Sequence, residues 1–155
     1  MKPELLAKPE LLVIGIETRT TNRDEVAPAT AKIPALWGRF FQEGIAEGIP
    51  NRKPGGFTIG AYTNYESDDT GPYTLLVGPE VTSIESIPSG MTSLIIPAGE
   101  FLVFNAQGPM PKALIDTWLF IWNYFRDAAS HSRLYSTDYE VHRSAERVDV
   151  HVAVT

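Results

Sequence analysis

The sequence predicts one α+β domain over residues 1–155: a duplicated β-α-β-β unit whose antiparallel sheet carries two helices on one face and a ligand groove on the other. Three observations lead there. Two stretches space apolar residues by three and four: Ile33, Leu36, Trp37, Phe40, Phe41 and Ile45, then Leu114, Trp118, Ile121, Trp122 and Phe125. Each marks a helix burying one stripe. Each helix is preceded by one β-rich run and followed by two, so the order strand, helix, strand, strand occurs twice, without a residue-by-residue repeat. The chain has 155 residues, enough for one hydrophobic core and too few for two ordinary domains.

Residues 9–19 carry Leu11, Leu12, Val13, Ile14 and Ile16, as expected of a strand buried on much of both faces. Residues 20–24, Thr-Thr-Asn-Arg-Asp, then offer several helix N-caps. The first helix should run from about Val26 and stop near Gly48, with Pro34 kinking it or marking its true first turn. Residues 57–65 and 73–78 read as an antiparallel pair, and residues 79–90, which lack periodicity, as a crossover between the halves. Residues 92–96 and 101–106 flank Pro97-Ala98-Gly99-Glu100 as an expected hairpin. The second helix is expected from about Pro111 to Ala129, followed by strands at 138–143 and 148–154.

Charge narrows the partners. Thirteen Lys plus Arg against nineteen Asp plus Glu give a net charge of -6, and no basic run offsets it, so direct nucleic-acid binding is not expected. With no cysteine, disulfides, thiolate catalysis and Cys-based metal sites are excluded. No stretch approaches the roughly 18 apolar residues of a membrane span, and no leader pattern opens the chain, so a soluble cytoplasmic protein without a membrane partner is expected.

The last hairpin supplies the candidate site. In residues 148–154 every second residue is valine, giving one wholly apolar face. A two-residue turn at Ala145 and Glu146 would set Val141 opposite Val150 and Tyr139 opposite Val152. The same register sets Glu140 opposite His151 and His142 opposite Asp149, on the face away from the helices. The bland fate of that face is solvent. Against it stand Phe101, Leu102, Val103 and Phe104, apolar on both faces of one strand, as expected if both sides are covered. A carboxylate in a covered cleft would hold a cationic ligand or move a proton.

Several segments carry a resemblance. Trp37-Gly38-Arg39-Phe40, Ile59-Gly60-Ala61-Tyr62 leading into Asn64-Tyr65, Tyr73 to Gly78, Ile96 to Phe104, Trp118 and Asp138-Tyr139-Glu140 follow one another as in GyrI-like, AraC-type effector-binding domains. Nearly the whole chain is covered, and the stand-alone, integron-cassette-associated type is the best match. The resemblance implies a duplicated fold with an open groove, binding lipophilic, often cationic organic molecules between aromatic rings and a central glutamate that matches Glu140. It also implies an alternative, hydrolysis of cyclopropanoid or similar electrophilic xenobiotics by the same glutamate, helped here by Tyr65. Because the domain starts within the first dozen residues and no helix-turn-helix precedes it, a DNA-binding regulator is not expected. The family often has Tyr or Phe two residues after the glutamate, where this chain has His142.

The expected ligand-binding residues are therefore Glu140, Trp37, Tyr62, Tyr65, Tyr73, Phe101 and Trp118. Helical aromatics are core by default, so only Trp37 and Trp118, at the cleft edge, are chosen from the helices. A good cation–π contact contributes on the order of 2 kcal/mol when desolvated. Several rings and one carboxylate would suffice for micromolar binding, about 8 kcal/mol. No cofactor is expected, nor a metal, because Asp138, Glu140, His142 and His151 show no recognised ligand spacing. No Gly-x-Ser-x-Gly elbow is present. The residues leave the oligomeric state open, a homodimer included. In the empty protein His151 is expected to pair with Glu140.

Overall fold

A computed structural model describes residues 1–127 and 130–155. Eight antiparallel strands form one curled sheet: β1 (Glu4–Lys8), β2 (Leu11–Thr20), β3 (Thr58–Thr63), β4 (Tyr73–Val81), β5 (Thr92–Ile96), β6 (Gly99–Gln107), β7 (Thr137–Ser144) and β8 (Arg147–Ala153). Three helices accompany them: short α1 (Asn22–Glu25), α2 (Ile33–Gln42) and α3 (Lys112–Arg126), with a 3-10 turn at Ala46–Gly48. The α+β class and the duplicated unit hold. Strand order is β1-β6-β8-β7-β3-β4-β2-β5. Each half contributes four strands in mirrored order, so β7 and β3 meet at the centre.

The elements start and stop for local reasons. Thr21 caps α1 by accepting from the Asp24 amide at 3.0 Å. That helix ends after one turn, and α2 starts afresh with Pro34 in its first turn, where a missing N–H costs nothing. The single helix expected from Val26 to Gly48 is thus the shorter α2 and a 3-10 turn, with α1 lying ahead of it among the expected caps. Leu36 and Phe40 point into the core, whereas Phe41, expected on the same stripe, is 69 % exposed. The second helix is described as far as Arg126, so its expected end at Ala129 lies outside the described residues.

Two expected pairings are corrected. Residues 92–96 and 101–106 do not form a hairpin: β5 pairs with β2, while β6 pairs with β1 and β8. The Pro97-Ala98 link therefore joins the two halves, and the β-rich run at 73–78 continues to Val81 where a crossover was expected. The last hairpin turns at Ala145-Glu146 as expected, with Ser144 opposite Arg147, but the register shifts by one residue between His142 and Ser144. The extra residue, Arg143, bonds Asp149 and lies 5.0 Å from the Phe57 ring. Beyond this bulge Glu140 faces Val150, Val141 faces Asp149, His142 faces Val148 and Tyr139 faces His151.

Both faces of the sheet are covered. On one face, Leu102, Phe104, Val148, Val150 and Val152 pack under α3, while Ile14, Ile16, Leu75 and Val77 pack under α2. The other face curls on itself around Val13, Ile59, Leu76, Phe101 and Tyr139. Here His151 stacks on Tyr139 at 4.3 Å, and its Nδ1 lies 3.2 Å from the Asp149 carbonyl oxygen.

That placement has a pH consequence. Burial, with the Lys8 charge beside it, pushes His151 down to about 4. An unfolded histidine titrates near 6.5, so between these values only the unfolded chain takes up the proton. Stability from this residue is intact above about pH 6.5 and falls by on the order of 3 kcal/mol as pH drops to 4. Denaturation midpoints measured from pH 7 to 4 should fall less steeply for His151→Phe than for the wild type. Parallel curves would contradict this assignment.

Candidate functional site

The register shift decides which way Glu140 points. Directly opposed residues share a face, and Val150 faces α3, so Glu140 faces the helices and not the side away from them. It sits on the central strand pair, opposite Gly60 of β3, in the trough between α2 and α3. Gly60 matters by what it lacks. A Cβ there would come within 3.1 Å of Glu140 Oε1 and 3.3 Å of the Trp37 ring. A side chain there would push both back by a few tenths of an ångström, so glycine lets the carboxylate and that indole approach closely over the strand.

Glu140 has no exposed surface. The Tyr62 hydroxyl donates to its Oε2 at 2.6 Å and the Trp118 indole N–H donates to the same oxygen at 2.8 Å. His142 Nε2 stands 3.0 Å from Oε1, and because a carboxylate only accepts, the contact is satisfied with the proton on Nε2. The partner of Glu140 is thus His142, not His151, which lies on the opposite face. Nor does His142 meet Asp149, which is held by Arg143 and Asn105. The Trp37 ring rests 4.6 Å from His142, and Trp118 meets Tyr62 edge-on at 5.2 Å. Burial, then the neighbouring Glu140 charge, raises the Tyr62 phenol well above its ordinary range, so it remains a donor.

Of the other expected residues, two stand one row away. Tyr73 is buried behind Tyr62 at 5.7 Å and donates to Asn22 Oδ1 at 2.9 Å. The Tyr65 hydroxyl donates to Asp138 Oδ2 at 2.6 Å, so it serves the neighbouring carboxylate and is not placed to assist Glu140. Phe101 lies on the face opposite Glu140, packed on Tyr139 and His151 in the curled face. Sequence reasoning passed over Gly60 and the pairing of Asp138 with Arg133, whose Nη2 lies 2.7 Å from Oδ2. The signal was present: Asp138, Glu140 and His142 alternate along one strand and must share a face.

Rings fill the space around Glu140. An open cavity of about 410 Å³ lies elsewhere, beside the start of α3, and is lined by none of the residues that touch Glu140. Among the described residues no helix is long and apolar enough to cross a membrane, and no group of three His, Cys, Asp or Glu could hold a metal.

A curled antiparallel sheet of two mirrored halves agrees with the GyrI-like effector-binding domains that the sequence resembles. Within that class, the chain belongs to the Cass2 family of integron-associated effector binding proteins, whose pattern matches residues 4–154. An integron cassette protein from the mobile metagenome of Vibrio cholerae is 34% identical, with a TM-score of 0.85 over 99% of this chain and 96% of that one. The protein SAV2435, solved bound to tetraphenylphosphonium, has a TM-score of 0.79 at 18% identity, covering 100% of this chain and 94% of its own. YobU of Bacillus subtilis is 27% identical over 129 residues, 83% of this chain and 78% of that protein.

Proposed function

We propose that this protein captures lipophilic organic cations, with Glu140 as counter-ion and the rings of Trp37, Tyr62 and Trp118 as walls. The observation that carries this reading is the fully buried carboxylate of Glu140. Among the described residues it has no lysine or arginine within ion-pairing distance, and His142 is the one neighbour able to carry a positive charge. Taking a carboxylate out of water costs several kcal/mol unless an opposite charge offsets it. An organic cation bound against Oε1 supplies that charge, and the surrounding rings add cation–π contact.

The approach to the site is apolar as well. Phe41 stacks on Trp37 at 5.9 Å and is exposed, and Ile115, three residues before Trp118 on α3, is 56 % exposed. Such a rim suits an aromatic or alkyl body. SAV2435, similar in fold, is a structure with tetraphenylphosphonium bound, which supports the same ligand class here. Entry requires the rings that shield Glu140 to swing aside.

Titration with tetraphenylphosphonium and with tetraphenylborate, its anionic counterpart of the same shape, tests the reading. The cation should bind saturably at micromolar concentration, and the anion at least about 100-fold more weakly, a difference near 3 kcal/mol. Equal binding of the two would reduce the site to a greasy surface and sink the proposal.

A further inference from the structure

We propose that the cleft contains a second cation site, built around Asp138 and filled by the chain's own Arg133, so that Arg133 sets the charge selectivity of the Glu140 site. The selectivity part rests on the cation-binding reading above. The occupancy part does not.

Asp138 and Glu140 lie two residues apart on β7 and share its helix-facing side, about 7 Å from each other along the strand. Both are fully buried, and both accept a tyrosine hydroxyl, from Tyr65 and Tyr62 respectively. Asp138 Oδ1 also takes the Ala153 amide at 2.9 Å. Around Asp138 the rings again form a box. The Arg133 guanidinium carbon lies 4.4 Å from the centre of Tyr135, 5.9 Å from Phe125 and 6.0 Å from Trp118. The arrangement repeats that of Glu140, a carboxylate with aromatic walls, except that here a cation is present and tethered. Trp118 is common to both boxes: its N–H bonds Glu140 while its ring lies near Arg133.

The guanidinium is an imperfect fit as a structural group. Its side chain is 4 % exposed, yet among the described residues its buried Nε meets no acceptor, so only part of its donor set is used there. A buried arginine kept purely for architecture would be expected to have its five donors satisfied. What the box does satisfy is the charge and the flat face of the cation. With Arg133 in place Asp138 is neutralised, and the cleft offers a ligand one carboxylate, that of Glu140, with no arginine or lysine beside it among the described residues. It should therefore select singly charged cations. Without Arg133 it would present two carboxylates, a match for a rigid aromatic dication.

The test compares tetraphenylphosphonium with methyl viologen, a flat dication whose charges span a similar distance. Wild type should favour tetraphenylphosphonium. In Arg133→Ala the affinity for methyl viologen should rise at least about tenfold more than that for tetraphenylphosphonium, and Arg133→Ala/Asp138→Asn should lose the gain. Unchanged or weaker methyl viologen binding by a folded Arg133→Ala variant overturns the proposal. Failure of the wild type to bind tetraphenylphosphonium would instead strike the parent reading. Because Arg133→Ala leaves Asp138 buried and unpaired, it could fail to fold. Millimolar methylguanidinium, which would refill the vacated box, should then restore its folded near-ultraviolet signal, or raise its melting temperature by several degrees if it folds alone. The double variant, with no charge to neutralise, should show no such response. If methylguanidinium has no effect on Arg133→Ala, the site is not a cation site.

Discussion

Glu140→Gln should bind tetraphenylphosphonium about 30-fold more weakly than the wild type, or worse, while melting within a few degrees of it. The amide keeps the shape of the side chain. Its carbonyl oxygen can accept from Tyr62 and Trp118, and its NH2 can donate to His142 Nε2 once that ring moves its proton to Nδ1. Each side chain that bonds Glu140 keeps a partner, so stability is nearly preserved. What disappears is the charge. A buried partner of a bound cation contributes about 2 to 5 kcal/mol, and 2 kcal/mol alone is close to 30-fold in affinity. Calorimetric titration of the two proteins decides it. Equal affinities would leave the rings as the whole of the binding energy and remove Glu140 from its role. Glu140→Leu separates charge from structure in the other direction: it strands the Tyr62 and Trp118 donors and should destabilise by about 1 to 3 kcal/mol for each.

Gly15→Ala should destabilise the fold by about 3 kcal/mol or more, a large share of the stability of an ordinary domain. On β2 a Cβ at Gly15 would fall 1.9 Å from the carbonyl oxygen of Val77. On β4 a Cβ at Gly78 would fall 1.9 Å from that of Ile14. Both obstacles are backbone, so neither can rotate away. The two glycines let β2 and β4 cross at van der Waals distance where the sheet curls, and that curl closes the core behind the site. Gly38→Ala is the control. On α2 a Cβ at Gly38 meets nothing within 4 Å, so this change should stabilise by about 0.5 to 1 kcal/mol. Urea midpoints should thus move in opposite directions. A Gly15→Ala protein as stable as the wild type would mean that the strands can separate without loss.

Much of this protein could be read before its structure was known, because the signals are local. Helical spacing around Leu36 and Ile121 marks buried stripes, and the valines of β8 mark an apolar face whatever covers it. Glu140, Trp37, Tyr62 and Trp118 were chosen by segment and residue type, and they meet at one point. The side of the sheet on which they meet was not local information. One extra residue, Arg143, tied to Asp149 and lying near Phe57, moves the hairpin register by one. With a side-chain period of two, that step carries Glu140 from the face of His151 to the face of α3. The same kind of non-local choice sent β5 to β2 and β6 to β1, leaving Phe101 behind the site.

The sequence by itself determined the class of fold and its duplication, which depend on spacing along single segments, and through its family resemblance it named the side chains proposed to meet a cation. Tertiary structure alone decided that His142 and not His151 faces Glu140, that Tyr65 belongs to Asp138, and that Arg133 occupies the neighbouring box. Each of those contacts depends on how a bulge, a crossover and a returning loop bring distant segments together, and the energies that choose among such pairings lie between elements, not within them.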